Sequence, residues 1–327
     1  MKIISSKVEL VKPSGNFLKD IERVGRVTYK SEDKIKDGSE IDFVKRMIKL
    51  GHWAVLEFGT LYFKIPVGEC SNVISVLTDP DRYEARGSRV ILKDKYYYVT
   101  TNFRVREQLW YEAKSKGDSD YKKDVLALGK YMTEPDISVH KLRANTHWIA
   151  SIAVSNQAFR GRVFSQMQES QRYCNYSKDK FGNELTFILP YWAYEKEAKS
   201  LGIQDAKEKD AGTLWNELIK VSRKCDRRNE YWKTVEDEYL EEVKDGMLPE
   251  EARDVLDKQI KTEFYLCGFL DDWFYEPPKG SPEKAGFFSL RTAQAAQGDI
   301  RDLARELESM MWVEYTGPNF KYQITKR

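Results

Sequence analysis

The sequence predicts an α+β fold, and two kinds of periodicity carry that prediction. Short segments alternate apolar and polar residues, as in Leu61, Phe63 and Ile65 against Tyr62 and Lys64, which is the period of a strand. Longer segments place apolar residues three and four apart, as in Leu214, Leu218, Val221, Cys225, Trp232, Val235 and Tyr239, which is the period of a helix. The composition, 41% hydrophobic with 13% aromatic over 327 residues, allows a sizeable core under a very polar surface.

In chain order, Lys2 to Val11 reads as a strand that ends at the Pro13-Ser14-Gly15 loop. Phe43, Val44, Met47 and Ile48 share one helix face, and Gly51 stands where that helix should stop. Residues 53–67 read as a strand. Within 68–145, Tyr96 to Thr101 reads as a strand, Phe103 to Ala113 as a helix and Lys114 to Lys123 as an exposed loop. The apolar run from Trp148 to Val154 suits a buried strand or a helix start. Residues 212–245 read as one long helix ending at Gly246, and Pro249-Glu250-Glu251 opens another, with proline at its first position and acids in its first turn. Asp271 to Ala285, with Pro277-Pro278 and Gly280-Ser281-Pro282, reads as a loop, and a final helix runs from about Asp299 to Met311. Residues 1–327 are expected to form one domain, with 66–145 an insertion or subdomain within it.

Composition excludes several functions. Lys+Arg total 54 and Asp+Glu 52, so the net charge of +2 argues against binding a nucleic acid polymer. No apolar run approaches the roughly 20 residues needed to cross a bilayer. Cys70, Cys174, Cys225 and Cys267 form no CxxC pair, and His52, His140 and His147 form no HExxH, so no metal site is expected. Cysteine usage and the absence of a signal segment point to the cytoplasm.

The chemistry concentrates in residues 157–173, Gln-Ala-Phe-Arg-Gly-Arg-Val-Phe-Ser-Gln-Met-Gln-Glu-Ser-Gln-Arg-Tyr. Lysine is absent there, although solvated faces use it freely. Arginines with hydroxyl and amide side chains are the set that grips phosphates and planar heterocycles. The spacing Arg160-x-Arg162, seven residues, then Ser170-x-Arg172-Tyr173 resembles the signature of the flavin-dependent thymidylate synthases. The segment His52 to Phe58 resembles that family's His-x4-Glu-His, Pro249-Glu250-Glu251-Ala252-Arg253 its Pro-Glu-x-Ala-Arg helix, and Phe287-Phe288-Ser289-Leu290-Arg291 its Phe-x-x-Leu-Arg. The resemblance covers roughly 1–65 and 145–310.

It implies a ThyX-like α+β fold with a central mixed or antiparallel sheet. It implies an enzyme that makes dTMP from dUMP, with methylenetetrahydrofolate as carbon donor and NADPH reducing a bound FAD, in a homotetramer. Gln157, Arg160, Gln168, Glu169, Ser170, Gln171, Arg172, Arg253 and Arg291 then fall at dUMP positions, with Arg291 the catalytic candidate. Thr60, Arg160, Gly161, Arg162 and Gln168 fall at FAD positions. Gly161 replaces the histidine of the family's Arg-His-Arg, Phe58 the second histidine of its Glu-His pair, and Ala295-Ala296-Gln297 a histidine-containing segment. The nucleotide pocket is thus retained better than the flavin surroundings. A different C5 modification of a pyrimidine nucleotide and a catalytically lapsed nucleotide-binding homologue are the alternatives.

Blander roles exist for the same residues. Arg253 could pair with Glu250 or Asp257, Ser165 and Ser170 could cap helices, His52 could cap or pack, and Cys174 and Cys267 could be small buried hydrophobes.

Overall fold

The structure, a computed structural model, describes residues 1–316. Strands β1 (Lys2–Ile4) and β2 (Lys7–Val11) precede helices α1 (Phe17–Thr28) and α2 (Ser39–Lys49). Then come β3 (Thr60–Pro66), α3 (Ser71–Thr78), α4 (Tyr83–Arg86), β4 (Arg89–Lys93), β5 (Tyr96–Asn102), α5 (Phe103–Lys116) and α6 (Ser119–Ala127). The chain returns through β6 (Arg143–Ser151), α7 (Ile152–Ala158), β7 (Ser165–Gln168), β8 (Thr186–Ile188) and α8 (Ala198–Ser200). It ends with α9 (Ala211–Val221), α10 (Arg223–Lys244), α11 (Pro249–Ala252), β9 (Lys261–Phe269), α12 (Leu270–Phe274), α13 (Phe287–Arg291) and α14 (Gly298–Thr316).

The fold is α+β, as expected. Its four-stranded sheet has the order β2-β6-β9-β7 and is antiparallel throughout. A three-stranded antiparallel sheet has the order β3-β5-β4, and the parallel pair is β1-β8. One core packs β6 and β9 against α7 and α12 to α14 through Trp148, Phe264, Trp273, Phe287 and Leu307. A second joins β1 and β8 to α9 and α10 through Phe187, Trp215 and Trp232. The third joins α1, α2 and β3 to α3, β5, α5 and α6. Segment 66–145 therefore shares its core with residues 21–65, and β3 is a strand of its sheet.

Several elements differ from the sequence reading. Trp53–Phe58 is a 3-10 helix, so the alternation becomes a strand only at Thr60, from where Leu61, Phe63 and Ile65 are buried. Lys114 to Lys123 is not a loop: α5 runs to Lys116, Gly117 turns at φ 68°, and the Asp118 side chain caps α6, whose Tyr121 and Val125 are buried. The apolar run at 148–154 is both things at once, the end of β6 and the start of α7, with the Ser151 side chain accepting from Val154 N. The long helix at 212–245 is two. Ser222, at φ −117° and ψ 110°, leaves α9 and caps α10, and Val221 drops out of the buried stripe. Residues 270–274, expected to be largely loop, form α12, all five buried.

Candidate functional site

The polar block runs from the end of α7, through the turn 159–164, along β7 and into the turn 169–176. The first turn is fixed from beneath. Gly161 N donates to Ala158 O (3.1 Å), Phe164 N to Gly161 O (3.1 Å), and Gln166 Nε2 to the carbonyls of Phe159 (3.1 Å) and Gly161 (3.3 Å). Phe164 is buried under this turn against Trp273 (ring centroids 4.4 Å) and Phe287 (5.8 Å). A Cβ on Gly161 would lie 2.8 Å from the Phe164 ring. The glycine in place of the family's histidine is what lets that ring fill the space below the turn. Above it, Arg160 and Arg162 are exposed, and no side-chain hydrogen bond or ion pair engages either among the described residues.

Arg291 comes to the same place from α13. Phe287 and Phe288 anchor that short helix against Trp273 and Phe274, and Arg291 Nη2 donates to Gln157 O (2.7 Å). The Gln157 amide donates to Ala153 O (3.2 Å) and to Gln297 Oε1. Burial, together with the nearby Arg160 guanidinium, pushes the Arg291 pKa down. Two guanidiniums thus share a patch with Gln157 and Gln297, and among the described residues no carboxylate pairs with either, the Asp299 carboxylate accepting from Gln297 instead (3.3 Å), which is an environment for an anion or an electron-rich ring edge.

Ser170, Arg172 and Arg253 belong to the other end of the block. Ser170 N donates to Thr28 O (3.0 Å), and its Oγ accepts from Arg172 N (3.3 Å), so it caps no helix. Arg172 Nε, not Arg253, pairs with Glu250 Oε2 (3.0 Å), and Glu250 raises its pKa. That exposed pair links α11, which precedes the half-buried Arg253, to the Ser170–Tyr173 turn. Gln171 is half-buried beside them. Gln168 lies between the two groups, its Nε2 donating to Ser155 Oγ (3.2 Å) and Thr262 Oγ1 (3.0 Å).

Glu169 points inward. Its fully buried carboxylate accepts from Lys261 Nζ (2.9 Å) and Tyr176 Oη (3.1 Å), with Lys30 Nζ at 3.6 Å. Lys261 and Lys30 also meet Glu263 (2.7 and 2.5 Å), and Glu263 meets His147 (3.4 Å). Burial would raise the pKa of Glu263, but His147, Lys261 and Lys30 hold it well below the usual carboxylate range. Burial likewise opposes the charge on Lys261, and the two carboxylates win, raising its pKa. This ion cluster anchors the residue before Ser170. The sequence reading did not single out Lys30, Lys261, Glu263 or Gln166; the available signal was charged residues interrupting the apolar strand β9.

A cavity of about 1120 Å³ opens over Lys30, Lys261 and Glu263, and none of the nine candidate nucleotide residues lines it. His52 and Tyr173 line it, along with Tyr29, Arg46, Lys30 and Lys261. His52 Nδ1 bonds the Tyr29 hydroxyl (2.8 Å) and its ring stacks on Tyr29 (6.3 Å), which meets Tyr173 at a tilt of 48° (5.3 Å), so the exposed His52 packs on a tyrosine and its side chain caps no helix. Thr60 lies elsewhere, on a cavity of about 660 Å³ that shares no lining residue with the first, and its Oγ1 accepts from Arg143 Nη1 (3.1 Å). Cys174 and Cys267 are buried, and burial pushes the Cys174 thiol up to about 12. Among the described residues no helix is long and apolar enough to cross a membrane.

Residues 141–313 match the family model described as thymidylate synthase complementing protein (Thy1), which is more than half of the chain. Two solved structures are similar over most of their length. One is a UMP/dUMP methylase PolB from Streptomyces cacaoi bound with 5-Br dUMP, 15% identical, covering 96% of this chain and 93% of that one at a TM-score of 0.37. The other is the methylase bound with 5-Br UMP, 13% identical, covering 96% and 92% at the same TM-score. No curated protein matches. The chain belongs to the Thy1 family, the flavin-dependent thymidylate synthase family.

Proposed function

We propose that the chain methylates dUMP reductively to dTMP, taking the carbon from methylenetetrahydrofolate and the electrons from NADPH through FAD. The observation that carries this reading is the pairing of Arg291 with Arg160 beside Gln157, two guanidiniums without a carboxylate in a family that acts on dUMP. A uracil ring whose O2 and N3 edge gathers negative charge as C5 becomes nucleophilic is the ligand such a patch stabilises. Arg291 is the group in that role. Its hydrogen bond to Gln157 O and its burial fix its position before the ring arrives.

Gln157 and Arg160 complete the base and sugar side. Ser170, Gln171, Arg172 and Arg253 supply hydroxyl, amide and guanidinium donors for the phosphate, with Gln168 and Glu169 holding the strand end beneath them. The C5–H bond breaks, its proton leaves to solvent, and a C5–CH3 bond takes its place.

The donor set on the 159–164 turn fits a dinucleotide cofactor: Arg160 and Arg162 are exposed and unpaired among the described residues, as a diphosphate requires. Arg160, Gly161, Arg162 and Gln168 would hold FAD, and the flavin would pass two electrons from NADPH to the transferred carbon. Both arginine groups lie open on one chain, so we read the working form as a homotetramer in which neighbouring copies close the site. Residues 1–327 form one catalytic unit carrying the 66–145 segment, in the cytoplasm.

The experiment is the absorbance spectrum of the purified protein before and after FAD, then titration with dUMP, then tritium release from C5-labelled dUMP with folate and NADPH. A flavin spectrum perturbed by dUMP and released tritium are expected. A protein that stays colourless with FAD refutes the flavoenzyme reading, and absent tritium release refutes C5 chemistry.

A further inference from the structure

We infer that the cavity of about 660 Å³ between the 12–17 loop, β3 and the 132–135 stretch is a second ligand site, built for an aromatic carboxylate. At its floor sits Arg143, the first residue of β6, with 7% of its surface exposed. Its guanidinium has five N–H donors. Three are engaged: Nη1 donates to Glu57 O (2.9 Å) and Thr60 Oγ1 (3.1 Å), and Nη2 to Ser165 Oγ (3.2 Å). All three acceptors are neutral. Nε is buried without a partner.

A buried guanidinium is normally compensated by a carboxylate, because desolvating an unpaired charge is costly. Arg26, the better covered of the paired arginines, meets Glu22 at 2.7 Å in this way. The Phe269 ring, 5.7 Å from Arg143, is weak compensation, since Arg89 lies closer to it at 4.3 Å. Nε is sealed from the cavity, so one Nη2 hydrogen remains for a ligand there, enough for a single charge-assisted hydrogen bond to a carboxylate.

The walls select the rest of the ligand. Phe17, Phe58 and Tyr62 line the cavity, and burial raises the Tyr62 pKa to about 12, so its ring face stays neutral. The volume lies in the range of pockets that enclose a small molecule of one to three rings. Met132 to Pro135 close one side, so the segment 66–145 helps to build this site.

The test is calorimetric titration of the full chain with 2-naphthoate, 2-naphthamide and sulfate. Naphthoate is expected to bind at least about ten-fold tighter than its neutral amide, the worth of one charge-assisted hydrogen bond. Arg143→Met should abolish that preference; it also strips Glu57 O, Thr60 Oγ1 and Ser165 Oγ of their donor, so its folding is checked by thermal denaturation. Asp20→Asn, which removes the cavity's half-buried carboxylate, should tighten naphthoate several-fold. This arm decides if Arg143→Met does not fold. Equal affinity for acid and amide, a preference that survives Arg143→Met, no gain in Asp20→Asn, or sulfate binding as tightly as naphthoate would each overturn the inference.

Discussion

Gly161 gives the sharpest test of the architecture. In Gly161→Ala the new methyl would sit 2.8 and 3.0 Å from two Phe164 ring carbons and 3.4 Å from Ala158 O. The ring cannot retreat. A Cβ on Gly268 would overlap its far side, and Trp273 and Phe287 box it in. Overpacking of this kind costs about 1–3 kcal/mol. Against it, alanine restricts the unfolded chain and returns about 0.4–1 kcal/mol. Gly161 has no positive φ, so backbone strain adds nothing. The net expectation is a loss of about 1–2 kcal/mol, read by guanidinium chloride denaturation. In a Phe164→Leu background the ring is gone and the loss should vanish, giving a coupling of about 1 kcal/mol or more. Gly161→His should likewise fail to gain flavin affinity until Phe164 is reduced. If Gly161→Ala matches or exceeds the parent in stability, or the two changes are additive within about 0.3 kcal/mol, the packing account is wrong.

Arg291→Lys should weaken dUMP binding by about ten-fold or more in calorimetry, since lysine keeps charge but loses the fork; unchanged affinity would remove Arg291 from the site. Lys261→Met should cost about 3 kcal/mol in denaturation, because it strips the fully buried Glu169 of its nearest cation; a loss below about 1 kcal/mol would show the ion cluster to be dispensable. Burial lowers the pKa of His140, whose Nε2 bonds Phe63 O (3.1 Å) and whose Nδ1 accepts from Asp136 N (2.9 Å). The folded chain then binds fewer protons than the unfolded one below about pH 6.5, so stability present above that pH falls as the medium is acidified. His140→Gln should reduce the slope between pH 7 and 5 by up to about 1.4 kcal/mol per unit, and an unchanged slope would exclude His140 as its source.

Which parts were legible in the sequence follows from how local their physics is. Gln157 to Tyr173 could be read because its signal, arginine and amide without lysine, lies within one stretch, and α11 because proline and acids mark its start. Period alone could not separate Trp53–Phe58 from the strand after it, since a 3-10 helix also buries Val55, Leu56 and Phe58 in no simple alternation. Ser222 carries no signal of the break, because the apolar spacing runs through it although it caps a new helix. The pairings that support the site were illegible for another reason. Glu169 meets Lys261 across 92 residues, and Arg291 meets Gln157 across 134, so neither pairing has a local signature.

The arginines also differ in a way their spacing does not show. Arg172 is compensated by Glu250, whereas Arg160 and Arg291 repel one another without a carboxylate. On the proposed function, a phosphate arriving at Arg172 would share that exposed guanidinium with Glu250. A ring edge arriving between Arg160 and Arg291 relieves a repulsion already present in the free chain. On the proposed function, the binding energy in this site would lie at the base end of the nucleotide, where a charge that grows during reaction is stabilised more than the ground state, and the phosphate end would serve chiefly to set position.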